Sequence, residues 1–250
     1  MTPRVALITG SGRKRVGRRI ADFLAERGYG IALHYRTARE EAEAAAEEFR
    51  AQGADAIAVG ADLADESQVG RLVSGVLHHF GRIDVLVNAA SIWERKPLER
   101  VTAEDVRRHF DANVLATFLV SRLVGLAMVE LPEGGVILNV GDWAEVRPYP
   151  NYPAYFATKG AIPTLTRMLA VELGARNPAI RVNALLPGPV MLPDDLPEAE
   201  RREAIDATLV RREGSPDNVA RAALALIDND FITGICLPID GGRSIYAPPA

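Results

Sequence analysis

Apolar residues in this chain come in short unbroken runs, separated by longer stretches in which they recur every three or four positions. Val5, Ala6, Leu7 and Ile8 form the first run, the pattern of a parallel strand buried on both faces. Similar runs predict strands over 30–35, 56–60, 83–87, 136–140, 180–186 and 235–239. Ile20, Phe23 and Leu24 fall at helical spacing in a helix predicted over 18–27, with others over 39–52, 66–80, 103–130 and 152–175. This alternation predicts an α/β fold, a doubly wound parallel sheet of about seven strands with helices on both faces. No repeat or second domain interrupts it, so residues 1–250 read as one domain. The loosest segment, 187–213, is rich in Pro, Asp, Glu and Arg and reads as a substrate-covering loop with a short helix over 198–209.

Ligands of such sheets bind outside the carboxyl ends of the strands. Gly10 follows the first strand, Arg36 the second, Asp62 the third, Asn88 the fourth, Asp142 the fifth and Pro187 the sixth. The first strand runs into Thr9-Gly10-Ser11-Gly12-Arg13-Lys14-Arg15-Val16-Gly17 and then into a helix. Glycines let backbone approach a pyrophosphate, and the helix start offers free N–H groups and positive partial charge. This is the Rossmann-type arrangement, although the middle glycine of the usual pattern is missing. An acid at the end of the second strand binds the ribose hydroxyls of NAD, whereas an arginine accommodates the 2′-phosphate of NADP. Positions 34–39 hold no acid, and Arg36 stands 19 residues after Gly17, with Arg15 in the glycine loop able to reach the same phosphate. The expected cofactor is NADPH/NADP+.

Tyr155 and Lys159 stand at i and i+4, on one face of a helix, with Asp142 thirteen residues upstream. A neighbouring ammonium favours the phenolate, which would bring the phenol toward working pH as a proton donor. His78, His79 and His109 show no metal-ligand spacing.

A net charge of −4 argues against nucleic acid or an anionic membrane as partner. The single cysteine, Cys236, excludes an internal disulfide and suits a reducing cytoplasm. A first strand opening at Val5 leaves no space for a signal peptide, and no apolar run is expected to be long enough to cross a bilayer.

In order along the chain, Thr9-Gly10 through Gly17, Asp62-Leu63, Val87-Asn88-Ala89-Ala90-Ser91, Asn113, Tyr155 with Lys159, Pro187-Gly188 and Asp240-Gly241-Gly242 resemble the motifs of the short-chain dehydrogenase/reductase family. Asp142, where that family usually has serine, together with Lys14-Arg15-Val16-Gly17, His34-Tyr35-Arg36-Thr37 and Leu192, is most similar to its pteridine reductases. That resemblance implies an NADPH-dependent reductase of a pterin or dihydrofolate C=N bond. Tyr155 and Asp142 would supply or relay the proton. Lys159 would bind the nicotinamide ribose and hold the tyrosine's pKa down, and Asn113 would anchor a water. The cofactor would lie along Gly10, Arg15, Val16, Gly17, His34, Tyr35, Arg36, Asp62, Leu63, Asn88, Ala89, Ala90, Tyr155, Lys159, Pro187 and Gly188. Trp93 would stack on the pterin, with Ser91 beside it, Leu192 and Pro193 as a far wall, and Trp143 and Tyr149 as further candidates. A homotetramer is the expected assembly. The alternatives are a carbonyl reductase or alcohol dehydrogenase of the same family, acting on a ketone or 3-oxoacyl thioester, and an NADP(H)-binding sensor without turnover.

Overall fold

The computed structural model describes residues 3–246. Seven parallel strands, β1 (Val5–Thr9), β2 (Gly30–Tyr35), β3 (Ala56–Gly60), β4 (Val85–Asn88), β5 (Gly135–Val140), β6 (Ile180–Pro187) and β7 (Cys236–Ile239), lie in the order β3-β2-β1-β4-β5-β6-β7. The order reverses between β1 and β4, which are paired from Ala6 with Val85 to Thr9 with Asn88. At such a switch point the flanking loops part and leave a crevice.

Alternate residues of each strand feed opposite layers. Val5 and Leu7 pack with Leu86 and Ile137 under one set of helices, while Ala6 and Ile8 pack with Val87 and Leu138 under the other. Each such fully buried valine, leucine or isoleucine contributes about 1.5–3 kcal/mol relative to exposure. The continuous apolar runs of the sequence follow from this two-sided burial.

The helices are α1 (Val16–Ala25), α2 (Arg39–Ala51), α3 (Glu66–Phe80), α4 (Ala103–Phe110), α5 (Ala116–Val129), α6 (Pro153–Lys159), α7 (Ile162–Gly174), α8 (Glu198–Asp206) and α9 (Pro216–Asp228). Two expected long helices are each divided. The run over 103–130 contains a π turn at Asp111–Leu115 between α4 and α5. The run over 152–175 breaks after Lys159, because Pro163 has no N–H to donate to the Lys159 carbonyl. The stretch Ala103–Val129 also corrects an expectation. It contains an 18-residue window of mean hydropathy 1.8, long and apolar enough to cross a bilayer, but half of that window is buried in this fold.

Helix α9 has no counterpart in the expected elements. Pro216 opens it, and the Asn218 side chain accepts from the Ser215 N–H at 2.9 Å. It packs on α1, with an Arg19–Asp217 ion pair of 2.6 Å across the contact.

Candidate active site

One open cleft of about 610 Å³ runs across the carboxyl ends of the central strands. At one end lie Gly10, Arg15, Val16, Gly17, His34, Tyr35, Arg36, Asp62 and Leu63. At the other lie Ala89, Ala90, Ser91, Trp93, Asp142, Tyr155, Lys159, Pro187 and Gly188.

Thr9 fastens the two sides of the switch point. Its hydroxyl accepts from the N–H groups of Ala89 (3.0 Å) and Ala90 (3.1 Å). Gly10 has φ +65°, and a Cβ there would lie 2.7 Å from the Ala90 Cα, so both conformation and space require glycine. Gly188 is similarly constrained, since its Cβ would meet the Asp240 Cα at 2.5 Å.

His34 is 2 % exposed and fully engaged with backbone. Its Nδ1 accepts from the Gly10 N–H at 3.1 Å, so its Nε2 carries the proton and donates to the Ala61 carbonyl at 3.0 Å. Burial lowers its pKa, against the Ala61 hydrogen bond, and keeps it neutral. The ring therefore shapes the glycine turn, and no ring nitrogen is left for the adenosine contact expected of it.

Arg15 and Arg36 are exposed at the cleft and form no ion pair among the described residues. Arg13 lines the same end, 3.6 Å from Glu41, and escaped the sequence reading. Its position between Arg15 and the glycines was the available signal.

At the end holding Tyr155 and Lys159, Asp142 leaves β5 and starts a short turn in which its Oδ1 accepts from the Ala144 N–H at 2.8 Å. The other oxygen accepts from the Tyr155 hydroxyl at 2.6 Å. Lys159, 4 % exposed, donates to the Val140 carbonyl at 2.8 Å and stands 5.6 Å from the Tyr155 ring centre. Burial raises the Asp142 pKa, with Tyr155, Ala144 and Lys159 opposing. Burial also brings Lys159 down to about 8, resisted by the negative charges of Asp142 and Glu145. Tyr155 differs from the expectation of a depressed pKa. Burial lifts it well above the usual tyrosine value, and the Asp142 carboxylate, by charge and hydrogen bond, adds to this. A phenol that donates to a carboxylate keeps its proton more firmly.

Glu145, three residues beyond Asp142, is pushed up to about 7 by burial and by Asp142, and its Oε2 has no hydrogen-bond partner. It escaped the sequence reading, since nothing in its spacing distinguishes it from a solvated acid.

Asn113 sits in the π turn, a local irregularity frequent at functional sites. Its Oδ1 accepts from the Ile92 N–H (2.8 Å) and the Ser91 hydroxyl (3.1 Å), and its Nδ2 donates to Thr158 Oγ1 (3.0 Å). It joins the loop after β4 to the helix that carries Tyr155 and Lys159. Asn88 departs from its expected contact with cofactor. Its side chain is turned into the core, donating to Ser121 Oγ at 2.8 Å and Asn139 Oδ1 at 2.9 Å. A buried amide needs polar partners, and its Nδ2 finds them in Ser121 on α5 and Asn139 on β5, while its Oδ1 is left without one.

Trp93 lines the cleft and stacks on Tyr152, ring centres 4.7 Å apart and planes 6° apart. Trp143 is turned away from the cleft, under the Arg243 guanidinium at 4.6 Å, with Tyr149 beside it at 6.4 Å. The far wall is formed by Val190 and Met191 rather than by Leu192 and Pro193. Leu192 instead donates its N–H to Glu213, and Arg201 holds the Pro193 carbonyl.

Residues 12–244 match the family model described as Enoyl-(Acyl carrier protein) reductase. The chain is 33% identical over 241 residues to 3-oxoacyl-[acyl-carrier-protein] reductase of Staphylococcus aureus, covering 95% of this chain and 96% of that protein. It is 33% identical over 261 residues to a hydroxynaphthalene reductase-like protein of Metarhizium robertsii, covering 97% and 95%. The crystal structure of acetoin dehydrogenase from Enterobacter cloacae superposes with a TM-score of 0.87 at 32% identity, over 99% of this chain and 98% of that one. With a cleft at the β1/β4 switch point and full-length likeness to reductases and dehydrogenases, the chain belongs to the short-chain dehydrogenase/reductase family of oxidoreductases.

Proposed function

We propose that the chain is an NADPH-dependent reductase of a carbonyl group on a flat, conjugated ring. The observation that carries this is the part-buried hydrogen bond of 2.6 Å between Tyr155 and Asp142, formed at the wall of the cleft beside Lys159. Relatives whose names describe 3-oxoacyl and hydroxynaphthalene reduction support the carbonyl, and the second of these supports the ring.

The residues present suit a dinucleotide phosphate. Gly10 leaves no room for a side chain against Ala90, which is the tight turn the first glycine of a dinucleotide loop provides. Gly10, Val16 and Gly17 would hold the pyrophosphate, Arg15 and Arg36 with Arg13 the 2′-phosphate, Asp62 and Leu63 the adenine, and Ala89, Ala90, Pro187 and Gly188 the nicotinamide half. When bound, the reduced nicotinamide supplies the hydride to the carbonyl carbon. Tyr155 donates its proton to the carbonyl oxygen, leaving a phenolate that the Lys159 ammonium stabilises. Asp142, as the carboxylate that accepts the Tyr155 hydroxyl at 2.6 Å, would hold that phenol in place for the transfer. A carboxyl in this place also favours a second reading, reduction of a pterin or dihydrofolate C=N bond, because it can exchange hydrogen bonds with an amino-pyrimidine ring. Assembly as a homotetramer in the cytoplasm belongs to the same proposal.

The test is NADPH oxidation with α-tetralone, dihydrobiopterin, dihydrofolate and an acetoacetyl thioester. Turnover of α-tetralone is the expected result. Turnover of pterins or dihydrofolate alone selects the second reading, turnover of the thioester alone removes the ring from both, and failure of every substrate to oxidise NADPH identifies a sensor.

A further inference from the structure

The indole of Trp93 has two faces, and the fold covers one of them. Tyr152 lies parallel to it, 6° from coplanar at 4.7 Å, and is not itself part of the cleft wall. Tyr152 is held in turn. Tyr149 meets it edge-on at 5.3 Å, Phe156 does so at 6.4 Å, and its carbonyl accepts the Phe156 N–H as α6 begins. The neighbouring Asn151 has φ +72°, and its carbonyl accepts the Lys96 N–H at 2.7 Å, which clips the two loops together. Trp93, so backed, lines the same cleft as Asp142 and Tyr155.

We propose that Tyr152 is a specificity-determining positioning residue, which backs Trp93 so that its free face forms a rigid platform for a flat ring in the cleft. This rests on the ring-substrate reading above. A platform already stacked on one side does not have to be ordered when the ring arrives, so less affinity is lost to immobilising a side chain. No hydrogen bond of the Tyr152 hydroxyl enters this role, so phenylalanine should serve as well as tyrosine. Removing the ring should raise the KM of flat substrates by about 2- to 12-fold, the range set by one aromatic pair. Small substrates that do not reach the indole should be unaffected.

The experiment compares Tyr152→Phe and Tyr152→Ala with the unsubstituted protein. KM and kcat are measured for α-tetralone or dihydrobiopterin and for diacetyl. Trp93 emission is read in a Trp143→Phe background, where Trp93 is the sole indole. The expected result is a higher KM for the ring substrate in Tyr152→Ala alone, an unchanged KM for diacetyl in both variants, and red-shifted Trp93 emission in Tyr152→Ala. An equal rise for diacetyl reports general damage to the site and overturns the proposal, as does unshifted emission. If the unsubstituted protein turns over rings but Tyr152→Ala leaves their KM unchanged, the platform fails while the ring reading stands. If it turns over diacetyl alone, the ring reading fails and the platform falls with it.

Discussion

Replacing Asp142 by asparagine tests the electrostatics of the site most directly. The amide keeps an oxygen for the Ala144 N–H, now 2.8 Å from Oδ1, so the turn after β5 should survive. It removes a negative charge 2.6 Å from the Tyr155 hydroxyl. Hydrogen bonds to charged groups contribute about 1.5–3 kcal/mol against about 0.5–1.5 for neutral ones, a difference of about 1–1.5 kcal/mol, or roughly one pH unit. The carboxylate raises the pKa of both Tyr155 and Lys159, so both must fall when it is neutralised. Proton delivery and phenolate stabilisation need both groups protonated, so activity is present below their pKa values and lost as pH rises through the lower one. That lower one is Lys159, near 8 in the unsubstituted protein. The alkaline limb of kcat/KM, which reports the free enzyme, is set by Lys159, which Asp142 reaches by charge alone, so it should move to lower pH in Asp142→Asn by less than the roughly one unit that the lost charged hydrogen bond is worth at Tyr155. Glu145 retains its own smaller hold on Lys159. The assay is NADPH oxidation across the pH range at low substrate. An alkaline limb that stays in place, or moves upward, refutes the coupling.

Two further outcomes are expected. Tyr155→Phe should abolish turnover while leaving NADPH affinity, measured by calorimetry, within a few-fold; lost binding would contradict its role as proton donor. Arg36→Asp should weaken NADPH far more than NADH, and an unchanged preference in the same titration would move the phosphate contact to Arg13 or Arg15.

The strands were legible because each is buried on both faces, which writes an unbroken apolar run such as Val85 to Val87 directly into the sequence. The residues at their carboxyl ends followed from that assignment, and the structure gathers Gly10, Arg36, Asp62, Asp142 and Pro187 at one cleft. Helix α9 was overlooked although Ser215, Pro216 and Asn218 mark its start, because the Pro- and charge-rich segment before it hid the signal. Tertiary pairings were not legible. Nothing local says that the Nδ2 of Asn88 donates to Ser121 and Asn139, or that both nitrogens of His34 are taken by backbone. The Tyr155 shift was misjudged for a related reason. Spacing reveals the lysine one helical turn away, but the depth of burial and the carboxylate's grip become visible only when the chain is folded.

The π turn at Asp111–Leu115 sets the rotational phase of everything before it. Each α-helical residue advances the chain by about 100°. Deleting one residue here would let the ladder close into ordinary α-helix and swing α4 round by roughly that angle relative to α5. Asp105 and Arg108, which grip Lys96 and Glu94 on the loop bearing Trp93, would then face elsewhere. One surplus residue thus acts as a gear tooth, meshing a charged outer helix with the indole loop while α5 stays seated in the core.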